Sequence, residues 1–178
     1  MKTYYALAVA ILFASSFAGC LDASAQPTFS LNSPAFVDGG LLGQQFTCDG
    51  AGVSPSLSWQ NAPAGTTSFA VTMHHYPPAA AEKHVYMVVY DLTLSTDHLE
   101  QGTTLGTWGV NTVNRKMVYT PPCSQGLGRK DDILTVYALS LAPVFTTLKT
   151  EITMDAFLAA IKSVTLATAT MTVGYARP

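Results

Sequence analysis

Thr67-Ser68-Phe69-Ala70-Val71-Thr72-Met73 is a run of apolar, aromatic and β-branched residues preceded by the turn-forming Pro63-Ala64-Gly65. That composition predicts a buried strand. Tyr86 to Leu92, Ile133 to Leu141 and Leu166 to Tyr175 have the same character. Their near-continuous apolar runs predict burial on both faces, or alternation against a sheet partner. Between them lie Asp38-Gly39-Gly40, Asp49-Gly50-Ala51-Gly52, Pro77-Pro78 and the run Pro121 to Gly128. Each supplies turn geometry. Short strands separated by such turns, with no βαβ rhythm, predict an all-β-dominated antiparallel sandwich or barrel. One helix is expected just before the last strand. Thr153 can cap it, and Met154, Phe157, Leu158 and Ile161 recur at three and four residues to make an apolar stripe.

The whole chain of 178 residues has one domain's length, and 48% of it is hydrophobic, enough for a sizeable core without help from metal or disulfide. Only 11% is charged and the net charge is −2, so no basic footprint for nucleic acid exists.

Residues 1–25 read as a signal peptide: Lys2, an apolar run from Ala6 to Ala14, then small residues. The run is too short to span a bilayer comfortably. Phe17-Ala18-Gly19-Cys20 resembles a lipobox and would make Cys20 a lipidation site, whereas Ala23-Ser24-Ala25 is the pattern of ordinary secretion. The mature domain, 26–178, is therefore expected in the bacterial envelope, periplasmic or lipid-anchored. Once Cys20 is removed or lipidated, Cys48 and Cys123 remain, an even pair in an oxidising compartment. A disulfide and two buried unpaired thiols are both open readings.

Phe46-Thr47-Cys48-Asp49-Gly50, Ser54-Pro55-Ser56-Leu57-Ser58-Trp59, Ala62-Pro63-Ala64-Gly65-Thr66-Thr67-Ser68-Phe69-Ala70, Tyr90-Asp91-Leu92, Gly109-Val110-Asn111 and Val136-Tyr137-Ala138-Leu139 resemble the bacterial, Raf-kinase-inhibitor-like branch of the phosphatidylethanolamine-binding family. The resemblance spans essentially the whole mature chain. It implies two packed antiparallel sheets and a small pocket for phosphate-like or carboxylate groups.

That pocket is usually built from an Asp-Pro-Asp turn, a His on the following strand and a second His after a Gly/Pro-rich loop. Here the first Asp position falls on His75 and the second on Pro77. The first His position falls on Tyr86, with His84 two residues earlier on the same strand face, and the second falls on Lys130. The loop contributes Pro122 and Cys123. The resemblance therefore implies His75, His84, Tyr86, Pro122, Cys123 and Lys130 as ligand-binding residues, in a pocket made more cationic by the exchange.

The expected function is an exported binding module for a small anion or a phospholipid headgroup, without catalysis and without a cofactor. The alternative is an envelope interaction or inhibitor protein whose pocket is vestigial. His75 and His84 with nearby carboxylates match no tight metal-ligand spacing. Ser124 lacks a nucleophile elbow, and Cys123 would act as a nucleophile only as a free thiolate. Arg129-Lys130-Asp131-Asp132 reads by itself as a charged turn.

Overall fold

The computed structural model describes residues 27–78, 82–123 and 126–177. The expected signal peptide with Cys20, and Ser124 and Gln125, lie outside the described residues.

The strands in chain order are β1 (Ser30–Asn32), β2 (Leu57–Gln60), β3 (Ser68–His75), β4 (His84–Thr93), β5 (His98–Leu99), β6 (Thr107–Trp108), β7 (Lys130–Leu139) and β8 (Thr165–Tyr175), with helix α1 (Met154–Ile161) between the last two. They form a small sheet ordered β1-β2-β5 and a long sheet ordered β6-β4-β3-β7-β8. All strand pairings are antiparallel. Each expected strand is present with shifted ends. β3 runs on through His74 and His75, β4 starts at His84 and β7 at Lys130. β7 stops at Leu139 rather than Leu141, because the Ser140 amide donates to Val164 O and turns the chain toward β8.

Every residue of β3 is buried, since the long sheet is covered on both faces. On one face Phe69, Val71, Met73, Leu134, Val136 and Met171 pack against Leu31, Leu57 and Trp59 of the small sheet and against Phe36 and Phe46. On the other, Ala70, Val88, Tyr90, Tyr137 and Leu139 pack against Ile152, Met154, Phe157 and Ile161 of the helical side. The apolar runs of the central strands follow from this double cover. α1 is fixed by its own sequence: the Thr153 side chain accepts the Ala156 amide at 3.2 Å, and Asp155 in its first turn pairs with Lys83 at 2.6 Å. Among the described residues no helix is long and apolar enough to cross a membrane.

Two irregularities in the β3–β4 pairing direct side chains. Between Phe69 and Val71 on β3, β4 carries two residues, Tyr90 and Asp91, opposite one. Asp91 takes φ 59°, a conformation that Asp, Asn and Gly adopt at least cost. Between Met73 and His74, Tyr86 is the extra residue of β4, and the bulge lets both Tyr86 and Met87 reach the inter-sheet side. The outer edge of β8 is covered by the ribbon around Gly39 to Leu42, with the Leu42 amide donating to Gly174 O at 2.8 Å and the Gly174 amide to Gly40 O at 2.9 Å.

Phe157 is completely buried and stacks on Tyr90 and edge-on to Tyr137. Phe157→Ala is expected to lower unfolding stability by about 3–5 kcal/mol, read from urea denaturation. A loss below about 1 kcal/mol would show that α1 does not close the second core.

Candidate functional site

Registry brings a polar row together at one end of the long sheet. His75 on β3 lies opposite His84 on β4 and opposite Asp132 on β7, and Lys130 on β7 lies opposite Tyr175 on β8. Paired residues share a face, and residues two apart on a strand do too. His75, His84, Asp132, Lys130 and Tyr175 therefore point to the same side, as an extension of the inter-sheet core line Met73, Leu134 and Val173. The bulge adds Tyr86. Together with Pro77, Pro78, Pro122 and Cys123 they line a cavity of about 250 Å³. All six residues singled out from the sequence are in its wall.

The loop side is fastened covalently. Cys48 and Cys123 form a disulfide with Cα atoms 5.2 Å apart, closing a separation of 75 residues. A loop of that size restricts the unfolded chain by on the order of 4 kcal/mol. Cys123 consequently has no thiolate to offer as a nucleophile. Asp49, next to Cys48, accepts from the Tyr175 hydroxyl at 2.7 Å and from Arg177 Nε at 2.9 Å. These two donors, Tyr175 first, hold the Asp49 carboxyl below the usual range. One cavity wall is thus tied to the disulfide at one end and to the last strand at the other. Gly50 follows directly, and a Cβ there would press on the backbone of Gln44 and Gln45, so the turn after Asp49 admits only glycine.

His75 Nδ1 lies 2.8 Å from Asp131 O. A carbonyl only accepts, so Nδ1 carries the proton and Nε2 is left for the cavity. The His75 and His84 rings stand 6.1 Å apart. His84 is exposed at the rim, Lys130 is half-buried and donates to Leu127 O at 3.2 Å, and His75 and Tyr86 are buried. The floor is Asp132, 1% exposed, with no hydrogen-bond partner on either carboxylate oxygen. Burial, then the charge of Asp131, raises its pKa to about 7. Burial and the Asp132 charge raise the Tyr86 hydroxyl above an ordinary phenol.

Asp132 and Tyr175 are the site residues that the sequence analysis missed. Asp132 thus returns one carboxylate to a wall from which the turn had lost two. The charged run Arg129 to Asp132 is the start of a strand, with alternate residues facing opposite ways. Arg129 and Asp131 pair outside at 2.6 Å, while Lys130 and Asp132 face the cavity. Extending the alternation of Leu134, Val136 and Ala138 back by two and four residues would have found both.

On the opposite face His74 is buried beside Tyr76, ring centroids 4.8 Å apart. Burial, then Lys83 and His75, lowers its pKa to about 4, so it is neutral and structural. His98 is exposed between Asp97 and Glu100. Among the described residues no three His, Cys, Asp or Glu side chains converge as a metal site.

A family model described as phosphatidylethanolamine-binding protein matches residues 32–176. A UPF0098 protein of Mycobacterium tuberculosis is 32% identical over 117 residues, covering 64% of this chain and 55% of that protein. The chain thus spans little more than half the length of that relative. LppC of the same species, named as a lipoprotein, is 30% identical over 122 residues, 67% of this chain and 60% of its own. Among solved structures, CT736 of Chlamydia trachomatis, a homologue of phosphatidylethanolamine-binding protein, superposes with a TM-score of 0.76 at 25% identity, covering 84% of this chain and 98% of that one. YbcL of E. coli gives 0.75 at 22% identity, covering 84% and 99%, a likeness of fold alone.

The Asp132 carboxyl binds its proton more tightly folded than unfolded, so its contribution to stability is full below pH 4 and is lost as pH rises from 4 to about 7. His74 has the opposite slope, costing stability as pH falls below 6.5 toward 4. A comparison with Asp132→Asn isolates the first effect. The variant is expected to melt higher than wild type at pH 8, by the equivalent of a few kcal/mol, with the gap shrinking steadily toward pH 4. Parallel melting curves across that range would show that Asp132 is paired or hydrated.

Proposed function

The chain belongs to the phosphatidylethanolamine-binding protein family, and on that premise we propose that it is an exported binding module whose cavity takes a small anionic group, a phosphate or carboxylate, free or as part of a phospholipid headgroup. The observation that supports this reading is the convergence of His75 from β3, His84 and Tyr86 from β4 and Lys130 from β7 on one cavity. The Lys130 ammonium at the mouth supplies a charge-assisted donor, and either imidazole adds another when protonated. The prolines and the disulfide make the rest of the wall stiff and apolar, which suits a site that recognises one polar end of a ligand.

The reading is of binding rather than catalysis. With Cys123 committed to a disulfide, the thiolate that would be the strongest nucleophile of the described wall is not available. The envelope location rests on the signal-peptide pattern and on the relative named as a lipoprotein, and Cys20 is the residue that would carry the anchor.

A second reading, an interaction protein with a vestigial pocket, is favoured by apolar side chains left in water. Leu127, beside Lys130, is 99% exposed, and Leu105, Met117 and Val118 are also exposed.

Titration with phosphate, acetate and phosphoethanolamine is expected to raise the melting temperature by several degrees near saturation. Lys130→Ala and His84→Ala should each weaken binding about tenfold. If none of the three anions moves the transition, the interaction reading replaces this one. In cells, Cys20→Ala is expected to move the protein from the membrane to the soluble envelope fraction, and unchanged fractionation would rule out lipidation there.

A further inference from the structure

Asp132 does not belong in an ordinary anion site. A carboxylate on the floor of a cavity repels a fully ionised oxyanion, and an unpaired buried carboxylate is costly on its own account. Both Asp132 oxygens lack a partner, and the Tyr86 hydroxyl in the same wall makes no hydrogen bond to them. The His75 Nδ1 proton is given to Asp131 O and is not available to Asp132. The Tyr175 hydroxyl is given to Asp49, and Lys130 donates to Leu127 O. Asp131, the neighbouring carboxylate, faces outward to Arg129, and the Tyr119 hydroxyl donates to Phe46 O at 2.6 Å. One unpartnered acceptor, the Asp132 carboxylate, therefore faces a cavity whose wall carries the Tyr86 hydroxyl and whose rim carries Lys130 and, when protonated, His84. A ligand satisfying both ends needs negative charge for the rim and a proton of its own for the floor.

Resting on the anion-binding reading above, we propose that Asp132 makes this pocket selective for oxyanions that carry a proton, hydrogen phosphate or a singly ionised phosphate monoester, by accepting the ligand's P–OH hydrogen bond. Sulfate has no such proton near neutral pH. A phosphodiester has none either, so a diester lipid headgroup would leave Asp132 unpaired. Specificity of this kind comes from the cost of an orphaned buried group and exceeds what an extra apolar contact supplies. The proton stays shared between the ligand and Asp132, and no bond is made or broken in the ligand.

The test measures affinities of the purified protein for inorganic phosphate, methyl phosphate, sulfate and glycerophosphoethanolamine at pH 8, where Asp132 is ionised, by calorimetry, for wild type, Asp132→Asn and Asp132→Ser. The expected result is at least about tenfold preference of wild type for inorganic phosphate, which keeps its P–OH, over fully ionised methyl phosphate, sulfate and the diester. In Asp132→Asn, whose amide can donate, sulfate should approach phosphate. The second variant guards against a local effect of the amide, and the wild-type ratio requires no variant at all. Equal binding of phosphate and sulfate by wild type, or discrimination that survives both substitutions, overturns the role of Asp132 while leaving anion binding intact. Preference for the diester overturns it in favour of the headgroup ammonium as the donor. Failure of every oxyanion to bind wild type or variants overturns the anion reading itself.

Discussion

The register of β3 against its two neighbours is the constraint on which the rest depends. Phe69 opposite Ala138 and His75 opposite Asp132 are two ends of one alignment, and because strand side chains alternate, a slip of one residue would send every inward side chain to the other face. The same registry that buries Val71, Met73, Leu134 and Val136 between the sheets carries His75 and Asp132 to the end of that layer. The site is thus a continuation of the core in which apolar residues give way to polar ones. Its wall is rigid for the same reason that the core is.

That origin explains what was legible in the sequence. The apolar middles of β3, β4 and β7 announced themselves because these strands are covered on both faces, and β8 because its inward residues alternate with exposed threonines. α1 was equally plain, since its cap and its stripe follow from local geometry. Strand ends were harder. His74-His75 and Arg129 to Asp132 have loop-like composition, and only tertiary pairing shows that they are still in the ladder. The family resemblance located six wall residues by counting along the strands, and the cavity contains them. It could not yield Asp132, which stands at none of the ligand positions that the resemblance implies. Tyr175 escaped for a different reason: its place in the wall depends on the pairing with Lys130 and on Asp49, 126 residues away.

Asp91 shows how a motif that carries resemblance can have a local physical cause. It lies where β4 has one residue more than β3, with its backbone in the left-handed region, and its side chain accepts the Thr107 hydroxyl at 2.8 Å. A short polar residue is needed both to adopt that backbone and to tie β6 to the sheet. Such a position marks the fold and says nothing of the ligand.

The long sheet also sets how the chain must fold. Thr72 and Tyr137, hydrogen-bonded in the interior, are 65 residues apart, and the cavity wall draws on β3, β4, β7 and β8 together. Partners so distant in sequence meet only after large loops have closed, which places such a topology among the slow folders, on the order of milliseconds to seconds. The candidate site comes into being only when the final strand has joined the others, so every partly folded form of the chain lacks it.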